Sequence, residues 1–185
     1  MRGWVTIIVA AVLSGVLLGG AAADVQKGAR AGTASPPSTT DQNASTDDPI
    51  EPMSVEGWDG GAYYDDFNGE YYCELSDDYG DGVTIWVGWD ADGFYMTIDD
   101  PKTLKLEEFK DIDVTLVIDD FYKQDFKAFS LGTTSLDFVF GEDRTTIEAL
   151  RKGVKLTLYP WDHWYTLYGL GNGIKALEDC YRRHS

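Results

Sequence analysis

Gly169-Leu170-Gly171-Asn172-Gly173-Ile174-Lys175-Ala176-Leu177-Glu178-Asp179-Cys180 is the stretch around which the rest of the chain is organised. Its alternating glycines let the backbone turn tightly, and a helical pattern follows them. Ile174, Leu177 and Tyr181 fall at i, i+3 and i+7 with Cys180 beside them, so the apolar stripe and the sulfur share one side. Asn172 is the expected N-cap, and Arg182 and Arg183 suit the negative end of the helix. The other cysteine is Cys73, in the run Tyr71–Leu75 that opens the expected strands. A bond between the two would staple the terminal helix to the opening strand. Chain entropy for a loop near that length gives at most about 4–5 kcal/mol.

Between these cysteines the sequence reads mostly as strands. In Val83–Trp89 one face carries Val83, Ile85, Val87 and Trp89, and Phe94, Met96 and Ile98 alternate in the next run. Asp90-Ala91-Asp92-Gly93 between them is a short turn, with Gly93 able to take positive φ, so the pair reads as a hairpin. Further alternating runs are Val114–Ile118, Phe126–Leu131, Leu136–Phe140, Val154–Tyr159 and Tyr165–Tyr168. One helix interrupts them. Thr145 to Glu148 fits a capping box with Thr145 as N-cap, and Gly153 stops the helix after Arg151 and Lys152. The expected fold is α+β: a largely antiparallel β-sheet or sandwich of about seven or eight strands with two short helices. Its C-terminal helix is expected to be disulfide-linked to the first strand.

Upstream the composition changes character. Arg2, the apolar run Val5–Leu18 and Ala21-Ala22-Ala23 form a secretory signal pattern over residues 1–23. The apolar run is shorter than the roughly 20 residues needed to span a bilayer. Residues 24–55 read as a disordered linker, because Gly32–Ser45 has no large apolar residue with which to offset its ordering entropy. Asn43-Ala44-Ser45 within it matches an N-glycosylation pattern. A single α+β domain is expected over 56–185. Two cysteines in an exported chain favour a disulfide, and the expected location is periplasmic or secreted, with no membrane anchor after cleavage.

Charge narrows the partners. The chain carries 15 Lys and Arg against 32 Asp and Glu, a formal net charge of −17. A polyanion repels nucleic acid and anionic lipid. From Ala31 to Pro101 there is no Lys, Arg or His, whereas the remainder to Ser185 is nearly balanced. Such a run can be a solubility surface or an acidic face that attracts a basic protein.

Four groups of residues are candidates for chemistry. Asp77, Asp78 and Asp81 sit in an Asp-rich turn resembling a calcium loop, but Tyr79 and Gly88 stand where oxygen ligands belong, and Asp and Gly are what tight turns need in any case. No cofactor is expected. His163 beside Asp162 could belong to a triad, although sequence neighbours on a strand point to opposite faces and no G-x-S-x-G is present. The Gly169-x-Gly171-x-Gly173 run lacks the next glycine of a dinucleotide fingerprint, Ile174 standing there. Trp86, Trp161 and Trp164, with His163, are the candidate binding residues, since exposed indoles stack on sugars or anchor interfaces; packing in the core is the alternative use.

The layout as a whole resembles a group of small exported proteobacterial proteins of unknown function. Trp58 comes first and Cys73 opens a strand; Gly153-Val154-Lys155-Leu156 follows a helix. Tyr165-Thr166-Leu167-Tyr168-Gly169-Leu170 then leads to Ala176-Leu177-Glu178-Asp179-Cys180. The match covers about residues 58–181. It implies an exported bacterial domain with one terminal disulfide, and carries no activity or binding residues with it. The charge, not the resemblance, motivates the expectation of an acidic binding module without an enzyme site, meeting a basic protein, for example a cationic hydrolase that it would inhibit. The alternatives are a carbohydrate-binding module using exposed tryptophans and a hydrolase with acidic residues near His163.

Overall fold

Residues 48–185 are described by the structure, a computed structural model, and fall within one compact unit, Ala44–Ser185. The leader pattern of residues 1–23, most of the 24–55 linker and the Asn43 glycosylation pattern lie outside the described residues. The elements run β1 (Glu51–Val55), β2 (Trp58–Asp65), β3 (Glu70–Asp78), β4 (Thr84–Asp90), β5 (Gly93–Asp99), β6 (Asp111–Ile118), β7 (Tyr122–Ser130), β8 (Ser135–Gly141), α1 (Arg144–Lys152), β9 (Lys155–Tyr159), β10 (His163–Thr166) and α2 (Leu170–His184).

The ten described strands form one antiparallel sheet in the order β1-β2-β3-β4-β5-β8-β7-β6-β9-β10. β1 to β5 is a meander of successive hairpins, β8 docks on β5, and the β9–β10 hairpin extends the sheet from β6. The expected number was seven or eight. The two additional strands are β1 and β2, which precede Tyr71–Leu75. β1 occupies 51–55, the end of the expected linker, and pairs with β2 from Glu51↔Ala62 to Val55↔Trp58.

Alternation decides what each strand buries. Trp58, Ala62, Cys73, Leu75, Ile85, Val87, Met96 and Ile98 are buried on one side of β2–β5. α2 covers that side with Ile174, Leu177 and Cys180, all fully buried. Gly173 faces Leu75 and Trp58, where even a Cβ would stand at ordinary contact distances of 3.5 Å and 3.9 Å. Cys73 and Cys180, 107 residues apart, are bonded with their α-carbons 6.2 Å apart. The sulfur of the terminal helix is therefore clamped to the third strand, β3, and not to the first.

Both helices are capped differently from expectation. Asp143, not Thr145, caps α1, its carboxylate accepting the Thr145 and Thr146 amides. An Asp two residues upstream reaches those N–H groups, and Thr145 already lies inside the helix. α2 begins at Gly169 in the left-handed conformation (φ 76°), not at Asn172. Only glycine enters that region without a steric cost. At its far end His184 still lies in α2, its Nε2 3.0 Å from Glu51 on β1. The helices are tied to each other through Glu178, which pairs with Arg144 at 3.2 Å and Arg151 at 3.1 Å.

The sheet curls. The Tyr79 hydroxyl, just beyond β3, donates to the Thr166 carbonyl at the end of β10, at 2.5 Å. That contact brings the tenth strand in sheet order back to the third and opens a cleft at the seam.

Candidate functional site

The seam cleft, about 370 Å³, is lined by Tyr79, Asp81, Asp100, Lys102, His163 and Tyr165 among others. His163 and Tyr165 alternate on β10 and so point the same way, with their rings 4.9 Å apart, edge to face. Asp100 directly follows β5 and is 1% exposed. Its Oδ1 accepts the amides of Lys102 at 3.0 Å and Thr103 at 2.9 Å, and its Oδ2 the Tyr165 hydroxyl at 3.0 Å. Burial alone would raise the Asp100 pKa; the bonds from Thr103, Tyr165 and Lys102 outweigh it and hold the carboxyl below its usual range. Tyr165 is pushed up by its own burial and then by that carboxylate, so it stays a protonated donor.

His163 Nε2 lies 3.6 Å from Asp100 Oδ2, beyond hydrogen-bonding distance. The other groups of the cleft are engaged. Asp81 pairs with Lys102 at 2.7 Å, Tyr79 bonds to Thr166, and the Thr166 hydroxyl donates to Val154 O at 3.3 Å. A hydrolase needs a nucleophile or a pair of free carboxylates facing one another. Among the described residues lining this cleft, Asp100 is committed to turn amides and a tyrosine, and Asp81 to a lysine.

The calcium candidates separate in the same way. Asp78 accepts the Gly80 amide at 2.8 Å, an Asx turn, and Asp81 faces Lys102. Asp77 is held near Tyr79, and its carboxyl is raised, chiefly by burial. Among the described residues no group of three or more His, Cys, Asp or Glu could hold a metal ion. Asp78 thus serves the turn, while Asp77 ends up within β3 and Asp81 against a lysine.

The tryptophans are not gathered either. Trp58 and Trp89 are core. Trp161 is half-buried against the core, in the turn between β9 and β10. Trp164 is 57% exposed on β10, but Lys155 Nζ lies 5.4 Å over its ring, placing a cation where a sugar would stack. Trp86 is half-buried on β4 and is not part of the seam cleft.

Trp86 belongs instead to a second surface, the side of β2–β5 opposite α2. Register sets its pattern: Gly61↔Glu74↔Gly88↔Tyr95 make one row across four strands, and Tyr63↔Tyr72 and Ser76↔Trp86↔Thr97 flank it. Tyr95 lies flat across Gly88, where a Cβ would come 2.1 Å from its ring. Its hydroxyl thereby reaches Glu74 Oε2 at 2.8 Å. Tyr63 and Tyr72 stack at 5.2 Å. Thr97 donates to Asp137 of β8 at 2.7 Å. Burial raises the carboxyls of Glu74 and Asp137. Sequence reasoning missed this surface apart from Trp86, because nothing in the local sequence separates Glu74 from the other acids.

No family model matches the chain, and no characterised protein matches it in sequence. Among solved structures, the invasion associated protein B from Bartonella henselae is similar over 72% of this chain and 99% of its own, with a TM-score of 0.52 and 19% identity. At that identity the likeness is one of fold.

Proposed function

We propose that this chain is an exported acidic binding module whose β1–β5 sector engages a basic protein. One observation carries this. Glu51–Asp99, which holds no Lys, Arg or His, folds into five strands that are consecutive in the sheet. The sequence asymmetry thus becomes a spatial one. Its surface away from α2 mixes carboxylates with Tyr63, Tyr72, Trp86 and Tyr95, the residue types enriched at interfaces. Such a field steers a cationic partner and speeds its capture. Export is supported by the leader pattern and by the Cys73–Cys180 bond, since oxidising compartments preserve disulfides.

Lysozyme, a strongly basic protein, is the direct probe. Calorimetry of the chain from Asp24 onward is expected to give binding at low ionic strength that weakens as salt is added, with none to an acidic protein of similar size. Absence of lysozyme binding at low salt would remove the proposal. Salt-independent binding of a neutral oligosaccharide would favour the carbohydrate alternative.

A further inference from the structure

The outward row on β2–β5 has a centre. Glu74 stands between two glycines, Gly61 on β2 and Gly88 on β4, so neither neighbouring strand contributes a side chain at its level. The walls come from elsewhere. The Tyr95 ring fills the space above Gly88, and Pro49 lies over Gly61, where a Cβ would approach its ring within 2.6 Å. The stacked Tyr63–Tyr72 pair closes the next rung. The Tyr63 phenol is raised by burial and then by the Glu74 charge, which places the ring in that carboxylate's field. Glu74 is thus a half-buried carboxylate among aromatic rings. Its hydrogen bond from Tyr95 is neutral and, among the described residues, no cation pairs with it, so burial prevails and its pKa is raised.

A carboxylate set among tyrosine rings is matched to one kind of group. A cation gains from the negative ring faces and from the acid at once, and a water-depleted setting strengthens both. An anion is repelled, and a neutral sugar leaves the charge unmatched. Resting on the reading of this sector as a surface for a basic partner, we infer that the Glu74 notch, walled by Tyr63, Tyr72 and Tyr95, takes one cationic side-chain end of that partner, a guanidinium or an alkylammonium. The notch is the anchor; the surrounding acids provide attraction without register.

Amide NMR of the chain from Asp24 onward, titrated in parallel with an oligo-arginine peptide, an oligo-lysine peptide and a neutral oligosaccharide, tests this. The expected result is a saturable set of shifts centred on Gly61, Glu74, Gly88 and Tyr95 with one or both peptides. The relative affinities identify the preferred head group. Glu74→Gln keeps an acceptor for Tyr95 and removes the charge, and is expected to weaken binding roughly tenfold. Asp66→Asn removes an equal charge from the exposed β2–β3 turn and is expected to change affinity by less than about twofold. Tyr95→Leu, which removes a ring and leaves the carboxylate, is expected to weaken binding several-fold, and serves if Glu74→Gln fails to fold. Equal losses in Glu74→Gln and Asp66→Asn, or peptide shifts spread along the acidic strands, would overturn the notch and leave the acidic-sector proposal standing. So would retained lysozyme binding with no peptide binding. Loss of both lysozyme and peptide binding ends both proposals, and shifts at these four residues with the oligosaccharide alone overturn the cation assignment.

Discussion

The Trp58 indole N–H donates to the carbonyl oxygen of Tyr168 at 2.8 Å, across 110 residues of sequence. The ring is fully buried on β2, and the carbonyl belongs to the segment that turns into α2. One bond therefore fixes the helix approach against the second strand, on the same side as the disulfide. Trp58→Phe keeps an aromatic ring but strands that carbonyl and leaves a small void. The expected cost is about 1–3 kcal/mol, measured as a fall in the urea midpoint with unchanged m.

Reduction tests the covalent clamp. Breaking the Cys73–Cys180 bond frees a loop whose ends are 107 residues apart. For a loop of about that size the entropic estimate is near 4.7 kcal/mol as an upper figure. Urea unfolding with and without reductant is expected to differ by about 2–4 kcal/mol. The double variant Cys73→Ala/Cys180→Ala is expected to match the reduced protein and to be insensitive to reductant. No difference on reduction would show that noncovalent packing of α2 alone holds the helix.

Glu74→Gln should make the protein more stable at neutral pH. Burial raises the Glu74 pKa in the folded state. A carboxyl raised in this way holds its proton more tightly folded than unfolded. The folded state is then favoured in acid, and that advantage is lost as pH rises through the unfolded and then the folded pKa. The variant avoids this loss, so its gain over the parent is expected at pH 7 and should vanish well below the ordinary glutamate range. Thermal melts across that interval decide it, and a variant less stable at pH 7 would contradict it.

Asp143 carries the opposite sign. The Thr146 hydroxyl first, and then the Thr146 and Thr145 amides, hold its carboxyl below the usual range against a burial effect that raises it. Its contribution is present above the unfolded pKa and is lost as pH falls through the folded one. Asp143→Ala is expected to cost about 1 kcal/mol at pH 7. The difference from the parent should shrink in acid, as read from denaturant midpoints at both pH values.

Where hydrophobic alternation was unbroken, as in Val83–Trp89 and Phe94–Ile98, the strands were legible in the sequence. β1 and β2 were not. Pro52 and the acidic and polar residues of Glu51–Val55 hide the first behind an apparent linker. Gly60 and Gly61 interrupt the second, and their meaning is visible only in the fold, where a Cβ on Gly60 would lie 2.1 Å from the Glu74 carbonyl oxygen. The caps were misplaced by a few residues because several Thr, Asp, Asn and Gly candidates crowd each helix start. At the cleft, His163 stood out as a histidine beside an aspartate, Asp162. Asp100 could not be matched to it, since their approach depends on β10 curling back toward the chain that leaves β3. Glu74 was illegible for a like reason: what distinguishes it from other acids is burial beside a ring on another strand.

The position of the second cysteine has a kinetic meaning. Cys180 follows every one of the ten described strands. While the polypeptide is being made, Cys73 is a lone thiol in a growing meander, and oxidation cannot steer strand pairing that precedes its partner's appearance. The bond comes last in chain order, and it closes where α2 seats Ile174 and Leu177 on the β2–β5 face.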